Sequence, residues 1–430
     1  MYKKIWWIHP VSIYAILMLL VILANRMSEA QYRLQYNTSK GINSTFVILY
    51  FATFICFVFG YLISKKHRVV LSAKRGLHYG IDKFDFGALS INSVYRVYRI
   101  LFWICIIAYC IWYINFLRIN GLSILSSFRS TTTLANAMYV MRDNSGRVSG
   151  ITTFTETGML VLPLGVYVIA NVNSNLIKKK IIKQMGLIII LALFRSISFS
   201  ERLAIIELLV PMIVTMIALT NNKKFRVWIW LAPVFAIIAL VVVFGLFEYT
   251  RSWLRFYHTE YDSYLEFIIQ RIVGYYNNAI NTECLYVSHS SAGILPYRSI
   301  EWLWNLPGMS YVYSLLAPFN IPEAFTSVLN TYANPEYNNP GGLLTFYVDF
   351  GLFFPIFQIA FGYIVGRLYK LFLKGNLVGL IMYSYVYMCL LELPRLFSLG
   401  GTRSFFVYVA LIIILFKVGR QPNATEEMER

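Results

Sequence analysis

The sequence predicts an all-α fold, a polytopic membrane bundle of about ten transmembrane helices. Three observations carry this reading. Of 430 residues, 58% are hydrophobic and only 13% charged, with a mean hydropathy of +0.59. Apolar runs long enough to cross a bilayer recur along the chain, and the loops between them alternate between Lys-rich and Lys-poor.

A crossing requires about 20 apolar residues to span roughly 30 Å of hydrocarbon. Runs of this kind lie near 10–25, 43–64, 97–117, 151–171, 184–199, 203–220, 227–247, 343–366, 377–394 and 404–418. The first follows Lys3 and Lys4 as a signal peptide would, but no small-x-small cleavage pattern follows, so it reads as the first span. The fifth is short, and Phe194-Arg195-Ser196-Ile197-Ser198 makes its outer end polar; a re-entrant course there would move the later loops to the other side.

Orientation follows from the positive-inside rule. Lys65-Lys66-His67-Arg68, Lys178-Lys179-Lys180, Lys223-Lys224 and the stretch from Arg367 to Lys374 fall on one side with both termini, which is therefore the cytoplasm. The asymmetry goes beyond that rule. Inner loops hold 15 Lys and 8 Arg, whereas outer loops and outer helix ends hold one Lys, Lys40, and 14 Arg. Two readings stand: Lys is simply the inner anchor, or a guanidinium surface is suited to bidentate recognition of phosphate or carboxylate. Either way, most of the +18 net charge records topology and not a nucleic-acid partner.

Three polar segments lie outside, 26–42, 118–150 and the long 248–342. The last is too polar to cross and rich in Tyr and Trp, as in Tyr249-Thr250-Arg251-Ser252-Trp253 and Glu301-Trp302-Leu303-Trp304. Aromatics of this density fit helices lying along the interface, and they also fit stacking on the C–H faces of sugars; both roles stay open for Trp253, Trp302 and Trp304. The longest inner loop, 65–96, holds no phosphate-cradling Gly-rich pattern, so ATP use by this chain is not expected. Cys56, Cys105, Cys110 and Cys389 fall in apolar runs and Cys284 stands alone outside, so neither a disulfide framework nor a metal pattern is expected, and no cofactor.

Ionisable groups in or at the ends of spans are costly and point to function by default. Here they are Glu156, Arg195, Glu201, Arg202, Glu207, Glu248, Arg251, Arg255, Asp349, Glu392 and Arg395. Arg195 to Arg202 mark one outer hairpin, and Glu248 to Arg255 follow the outer end of another span. If residues 248–255 continue as α-helix, Glu248, Arg251 and Arg255 share one stripe. Arginines at a membrane–water boundary suit a large lipidic anion such as a lipid-linked diphosphate, whose departure they would stabilise electrostatically. Glu248, or less directly Asp349, is the candidate base for a sugar hydroxyl. An interhelical salt bridge such as Glu248 to Arg202 is the structural alternative.

At these residues the sequence resembles the Wzy-type oligosaccharide repeat-unit polymerases, the O-antigen and capsular polysaccharide polymerases. Ser200-Glu201-Arg202-Leu203-Ala204 is similar to the family's Ser-Arg opening of a long apolar helix, with Glu201 inserted. Phe247-Glu248-Tyr249-Thr250-Arg251-Ser252-Trp253 leaves the next span as family members do, with an Arg and then a small residue. Asn338-Asn339-Pro340-Gly341-Gly342, running into Phe346-Tyr347-Val348-Asp349-Phe350-Gly351, looks like the family's Pro-Gly-Gly segment and Asp-Phe-Gly-like turn.

The resemblance implies a glycosyltransferase of the bacterial cytoplasmic membrane, similar to lipopolysaccharide ligases and other C-type glycosyltransferases, metal-independent and working on the outer face. It would move a growing glycan from undecaprenyl diphosphate onto a new lipid-linked unit, with a chain-length regulator protein as a partner. Arg202, Arg251 and Glu248 would be catalytic; Arg195, Arg255, Asp349, Trp253, Trp302 and Trp304 would bind substrate. The chief rival is a flippase or transporter of polyisoprenoid-linked oligosaccharide, for which internal repeats with matched broken helices would be expected and are not seen. A structural assembly partner would carry fewer ionisable groups at its outer helix ends.

Overall fold

The computed structural model describes residues 5–66, 91–121, 148, 150–199, 202–220, 226–290, 295–317 and 321–419. Every regular element among them is helical; the sole β-type contact is an isolated parallel bridge between Gly341 and Leu396. The helices are α1 (Pro10–Arg26), α2 (Glu29–Tyr36), α3 (Ser44–Lys66), α4 (Ile91–Asn120), α5 (Gly158–Asn171), α6 (Asn175–Phe199), α7 (Arg202–Leu219) and α8 (Arg226–Glu248). A π-helix, Tyr249–Tyr257, continues α8. There follow α9 (Tyr264–His289), α10 (Glu301–Trp304), α11 (Met309–Leu316), α12 (Ile321–Tyr332), α13 (Thr345–Phe350), α14 (Phe354–Leu373), α15 (Leu377–Glu392) and α16 (Thr402–Gly419).

This is a multi-pass helical membrane protein. Among the described residues, six stretches are long and apolar enough to cross a bilayer: Ser44–Lys66, Ile91–Asn120, Thr152–Asn171, Asn175–Ser198, Val227–Tyr257 and Thr345–Leu373. A seventh candidate joins α1 to α2 through a 95° bend, and α7, α15 and α16 are shorter apolar helices. The fifth apolar run is longer than its hydropathy indicates. It forms the C-terminal part of α6, and Lys178, Lys179 and Lys180 lie inside the helix, since a lysine stem lies along apolar surface while its ammonium stays wet.

Local chemistry sets the helix ends. Pro10 occupies the first turn of α1, where its missing N–H costs nothing. Ser28 closes a capping box with Gln31, its hydroxyl taking the Gln31 N–H and its own N–H reaching the Gln31 side chain, which starts α2 at the bend. At the Lys-rich end, the Lys370 ammonium donates to the carbonyls of Ser64 and Lys65 at 3.1 and 3.0 Å, so two cationic helix ends meet and one caps the other.

Two hydrophobic cores meet on α15. Leu380, Tyr383, Tyr387 and Leu390 pack with α1, α3 and α14, whereas Leu377, Ile381, Tyr385 and Cys389, one turn apart, pack with α4 to α7 and α16. A helix apolar on every side belongs in the interior. A hydrogen bond of 2.9 Å between Thr215 and Ser384 ties α7 to it. Where α3 crosses α14 there is no room for side chains: a Cβ on Gly60 would overlap the carbonyl of Ile359, and one on Gly362 the carbonyl of Phe57. Backbones meet there as in small-residue crossings of membrane helices.

The long polar segment 248–342 does not simply lie along the surface of the bundle. From Gly274 to Tyr286, α9 is buried at almost every position, including Asn277, Asn278, Asn281 and Glu283, so it is inserted into the bundle. A third core of Leu285, Tyr286, Trp304, Tyr313, Val328 and Leu329 roofs it with α10 to α12.

Candidate functional site

Among the described residues, the ionisable groups at the helix ends opposite the Lys-rich end form two main networks. The first begins where α8 passes into the π-helix. Glu248 is completely buried and holds two guanidiniums, Arg251 and Arg271, each at 3.7 Å. Arg271 comes from α9, is itself buried, and makes a second ion pair with Glu336. Tyr257 donates to both oxygens of Glu336 at 2.9 and 2.8 Å, and Tyr337 accepts from Arg271 at 3.2 Å. Burial opposes charge on Glu336, yet the bond from Arg271 prevails and holds its carboxyl below the ordinary value. The same partners raise the Arg271 guanidinium against its burial, so this pair stays ionised.

The second network joins α5, α6, α7, α15 and α16. Arg195 lies 3.8 Å from Glu156 and donates to the Thr155 hydroxyl at 2.8 Å. Glu207 pairs with Arg403 at 3.4 Å and Glu392 with Arg395 at 2.8 Å, while Arg395 also reaches Asn339 at 3.4 Å. Arg403 also feels the charges of Glu156 and Glu392, which makes the three pairs one electrostatic unit. Tyr275 of α9 joins the two networks: the guanidiniums of Arg271 and Arg395 lie 5.6 and 5.9 Å from its ring centre.

One geometry recurs. In the pairs Arg251–Glu248, Arg395–Glu392 and Arg403–Glu207 the guanidinium side chains are 24%, 21% and 44% exposed, and their carboxylates 0%, 10% and 9%. In these three the carboxylate is the deeper partner, whereas in Arg271–Glu336 the order is reversed, 4% against 36%. A guanidinium has five N–H donors in a flat fork, so a carboxylate behind it fixes its plane and leaves other N–H groups facing outward. Such a surface can offer guanidinium N–H groups to an anion.

The sequence-predicted residues divide accordingly. Arg251 and Glu248 come together as expected, but Glu248 is seated beneath two guanidiniums and not presented to an incoming hydroxyl. Arg195 pairs with Glu156 in the other network. Arg255 leaves the expected stripe because residues 249–257 wind as a π-helix, whose wider turn carries position 255 to the exposed side beside Phe256. Arg202 opens α7; its side chain, with Ser200 and Glu201, lies outside the described residues.

Asp349 serves a third cluster, accepting the main-chain N–H groups of Arg298 at 3.0 Å and Ser299 at 2.7 Å, so both its oxygens hold the loop before α10. The three tryptophans each pack against neighbouring side chains, and Trp253 and Trp302 stay half-buried. Trp253 lies on Tyr264 and Phe267, Trp302 on Phe405 and Tyr408, and the buried Trp304 donates its indole N–H to Pro296 at 2.7 Å.

The Pro-Gly-Gly segment is positioned by a residue that sequence reasoning missed. Glu283, fully buried, accepts from Tyr50 and from the N–H of Leu344, both at 2.9 Å. Gly341, at φ +71°, lies so close to Glu283 that a side chain there would overlap it. The N–H of Gly341 then donates to the carbonyl of Arg395 at 2.9 Å, so the segment fixes the backbone that carries a site arginine. Arg271 was also missed, although its signal was legible: it falls on the apolar stripe Phe267, Ile268, Tyr275 of α9, where a charge needs a reason. Among the described residues, no three His, Cys, Asp or Glu side chains come together as a metal site.

No family model, curated protein or solved structure matches this chain.

Proposed function

We propose that the chain polymerises oligosaccharide repeat units carried on undecaprenyl diphosphate, at the outer face of a bacterial cytoplasmic membrane. In this reading ten segments cross the bilayer, namely the six long stretches, α1 with its bend, and α7, α15 and α16, with both termini inside. The observation that carries the proposal is the set of three Arg–Glu pairs with the guanidinium outermost, gathered from different helix ends opposite the Lys-rich end.

Arg251, Arg395 and Arg403 hold the donor diphosphate, with Arg202 beside them at the start of α7 and Arg195 and Arg271 supporting. In the reaction the bond between the glycan's anomeric carbon and the diphosphate oxygen breaks, and a bond from that carbon to an acceptor hydroxyl oxygen forms. The diphosphate leaves with the electron pair, and the hydroxyl proton passes to water at the outer face. Charge accumulates on the diphosphate, and preorganised guanidiniums are worth most at that point. Glu248 acts by aiming Arg251 and Arg271. A flippase needs the same anion affinity, so the test must detect bond formation. Purified protein in detergent, given lipid-linked repeat units, is expected to yield long glycan without a second compartment; unchanged single units would refute the reading.

A further inference from the structure

The helix α8 is held at both ends and stands free between them. Along its inward stripe, Ile229 is 9% exposed, Phe244 8% and Glu248 0%, yet Ile237, which continues the same stripe, is 62% exposed. All six residues from 234 to 239 are exposed. Six helical residues sweep more than one full turn, so in mid-course no side of α8 rests on the described residues of the bundle. At the Lys-rich end Trp7 grips the Ile229 carbonyl at 2.8 Å, and at the other end the Tyr264 hydroxyl grips that of Gly245. Pro233 lies inside the helix between these two ties.

We infer that the gap between the middle of α8 and the bundle holds the polyprenyl chain of the lipid-linked substrate, an inference that rests on the polymerase reading. A gap walled by Val, Phe, Ala and Ile within hydrocarbon takes an apolar chain and not water. The choice of chain follows from what lies at its outer end, where α8 runs into Glu248, Arg251 and Arg271, so the occupant is an amphiphile with an anionic head. Depth separates the candidates. Residues 234–239 lie 12 to 17 positions before Arg251, about 18–25 Å along a helix rising 1.5 Å per residue. A phospholipid tail fills about half of the roughly 30 Å core, so one with its head at Arg251 does not reach the gap. A polyprenyl chain does.

The test places a photo-reactive benzophenone side chain at position 237, with a second variant at 238, and a control at Ile55 of α3, which is 64% exposed on another face. Vesicles of phosphatidylglycerol contain undecaprenyl diphosphate bearing no sugar. Adducts of polyprenyl mass are expected at 237 or 238 and not at 55, and Arg251→Ala is expected to lower them about tenfold, the loss of one charge-assisted anchor. Equal labelling at all positions, phospholipid adducts alone, or cross-links to a second copy of the chain would overturn the inference. The two readings fail separately. Elongation in detergent without selective adducts removes the gap site and keeps the polymerase; selective adducts without elongation keep a polyprenyl site and remove the polymerase.

Discussion

Trp7 donates its indole N–H to the main-chain carbonyl of Ile229, at 2.8 Å, and that carbonyl is the acceptor which Pro233, four residues on, leaves without its helical donor. A proline removes one N–H from the ladder and exposes one carbonyl; within hydrocarbon the exposed carbonyl needs a partner. Trp7→Phe is therefore expected to cost about 1–3 kcal/mol, the penalty of an orphaned buried acceptor. Restoring the N–H with Pro233→Ala should make the same change nearly free. A double-mutant cycle read by thermal unfolding in detergent checks this, with a coupling of about 1–2 kcal/mol expected and additivity counting against it.

The contact of α3 with α14 admits no side chain at Gly60 or Gly362. Gly60→Val and Gly362→Val must each push a neighbouring carbonyl aside, and overpacking of this kind costs about 1–3 kcal/mol. Both variants are expected to lose monodisperse protein on size-exclusion chromatography, whereas Gly186→Val, at a helical glycine with open space around it, should behave as wild type. Equal behaviour of all three would mean that the two helices are not in backbone contact.

These relationships show where sequence reasoning stops. The apolar runs coincide with helices because a run of 16 or more hydrophobic residues has few other ways to satisfy its backbone in lipid. Boundaries shifted where other physics entered: α6 starts nine residues early because lysines tolerate a helix end, and the eighth run breaks between α13 and α14 at Gly351, where φ is +54°. The first half of the site was legible as Glu248 and Arg251 one turn apart. A charge on the apolar stripe of α9 marked Arg271, but not its pairing with Glu248, because the insertion of α9 makes that contact and nothing in the segment's polarity tells insertion from lying flat. Arg255 was misplaced because α and π winding cannot be told apart by spacing. The packing of Trp304 was not legible for a different reason: an indole that stacks on sugar and one that packs on Tyr313 are the same residue type in the same kind of segment.

Burial pushes the Glu283 carboxyl up to about 7 from 4.5, against the lowering effects of the Leu344 N–H, the Arg298 charge and the Tyr50 hydroxyl. A carboxyl whose folded value is raised stabilises the fold while protonated; that contribution is full below the unfolded value and is lost as pH rises through the folded one. Thermal stability in detergent should therefore fall between about pH 5 and pH 8, by an amount on the order of 3 kcal/mol for this group. Glu283→Gln keeps a carbonyl for Leu344 and cannot ionise, so it should flatten that slope and be the more stable protein at alkaline pH. An unchanged slope in the variant would assign the pH dependence elsewhere.

Glu248 and Arg251 give the sharpest separation of roles. If Arg251 touches the diphosphate and Glu248 only aims it, removing the arginine should lose transition-state stabilisation, and neutralising the glutamate should lose order. Arg251→Ala is expected to leave the protein inserted and abundant, with kcat for elongation down at least about 100-fold, the scale of one electrostatic stabiliser. Arg251→Lys should recover little of this, because an ammonium cannot present two parallel N–H groups to a phosphate while facing Glu248. Glu248→Gln retains the shape and one acceptor, so it should act mainly on KM, by about tenfold, through loss of the charge that fixes both guanidiniums. A Glu248→Gln enzyme with normal KM and a kcat that becomes pH-independent would reverse the assignment and make the buried carboxylate the base.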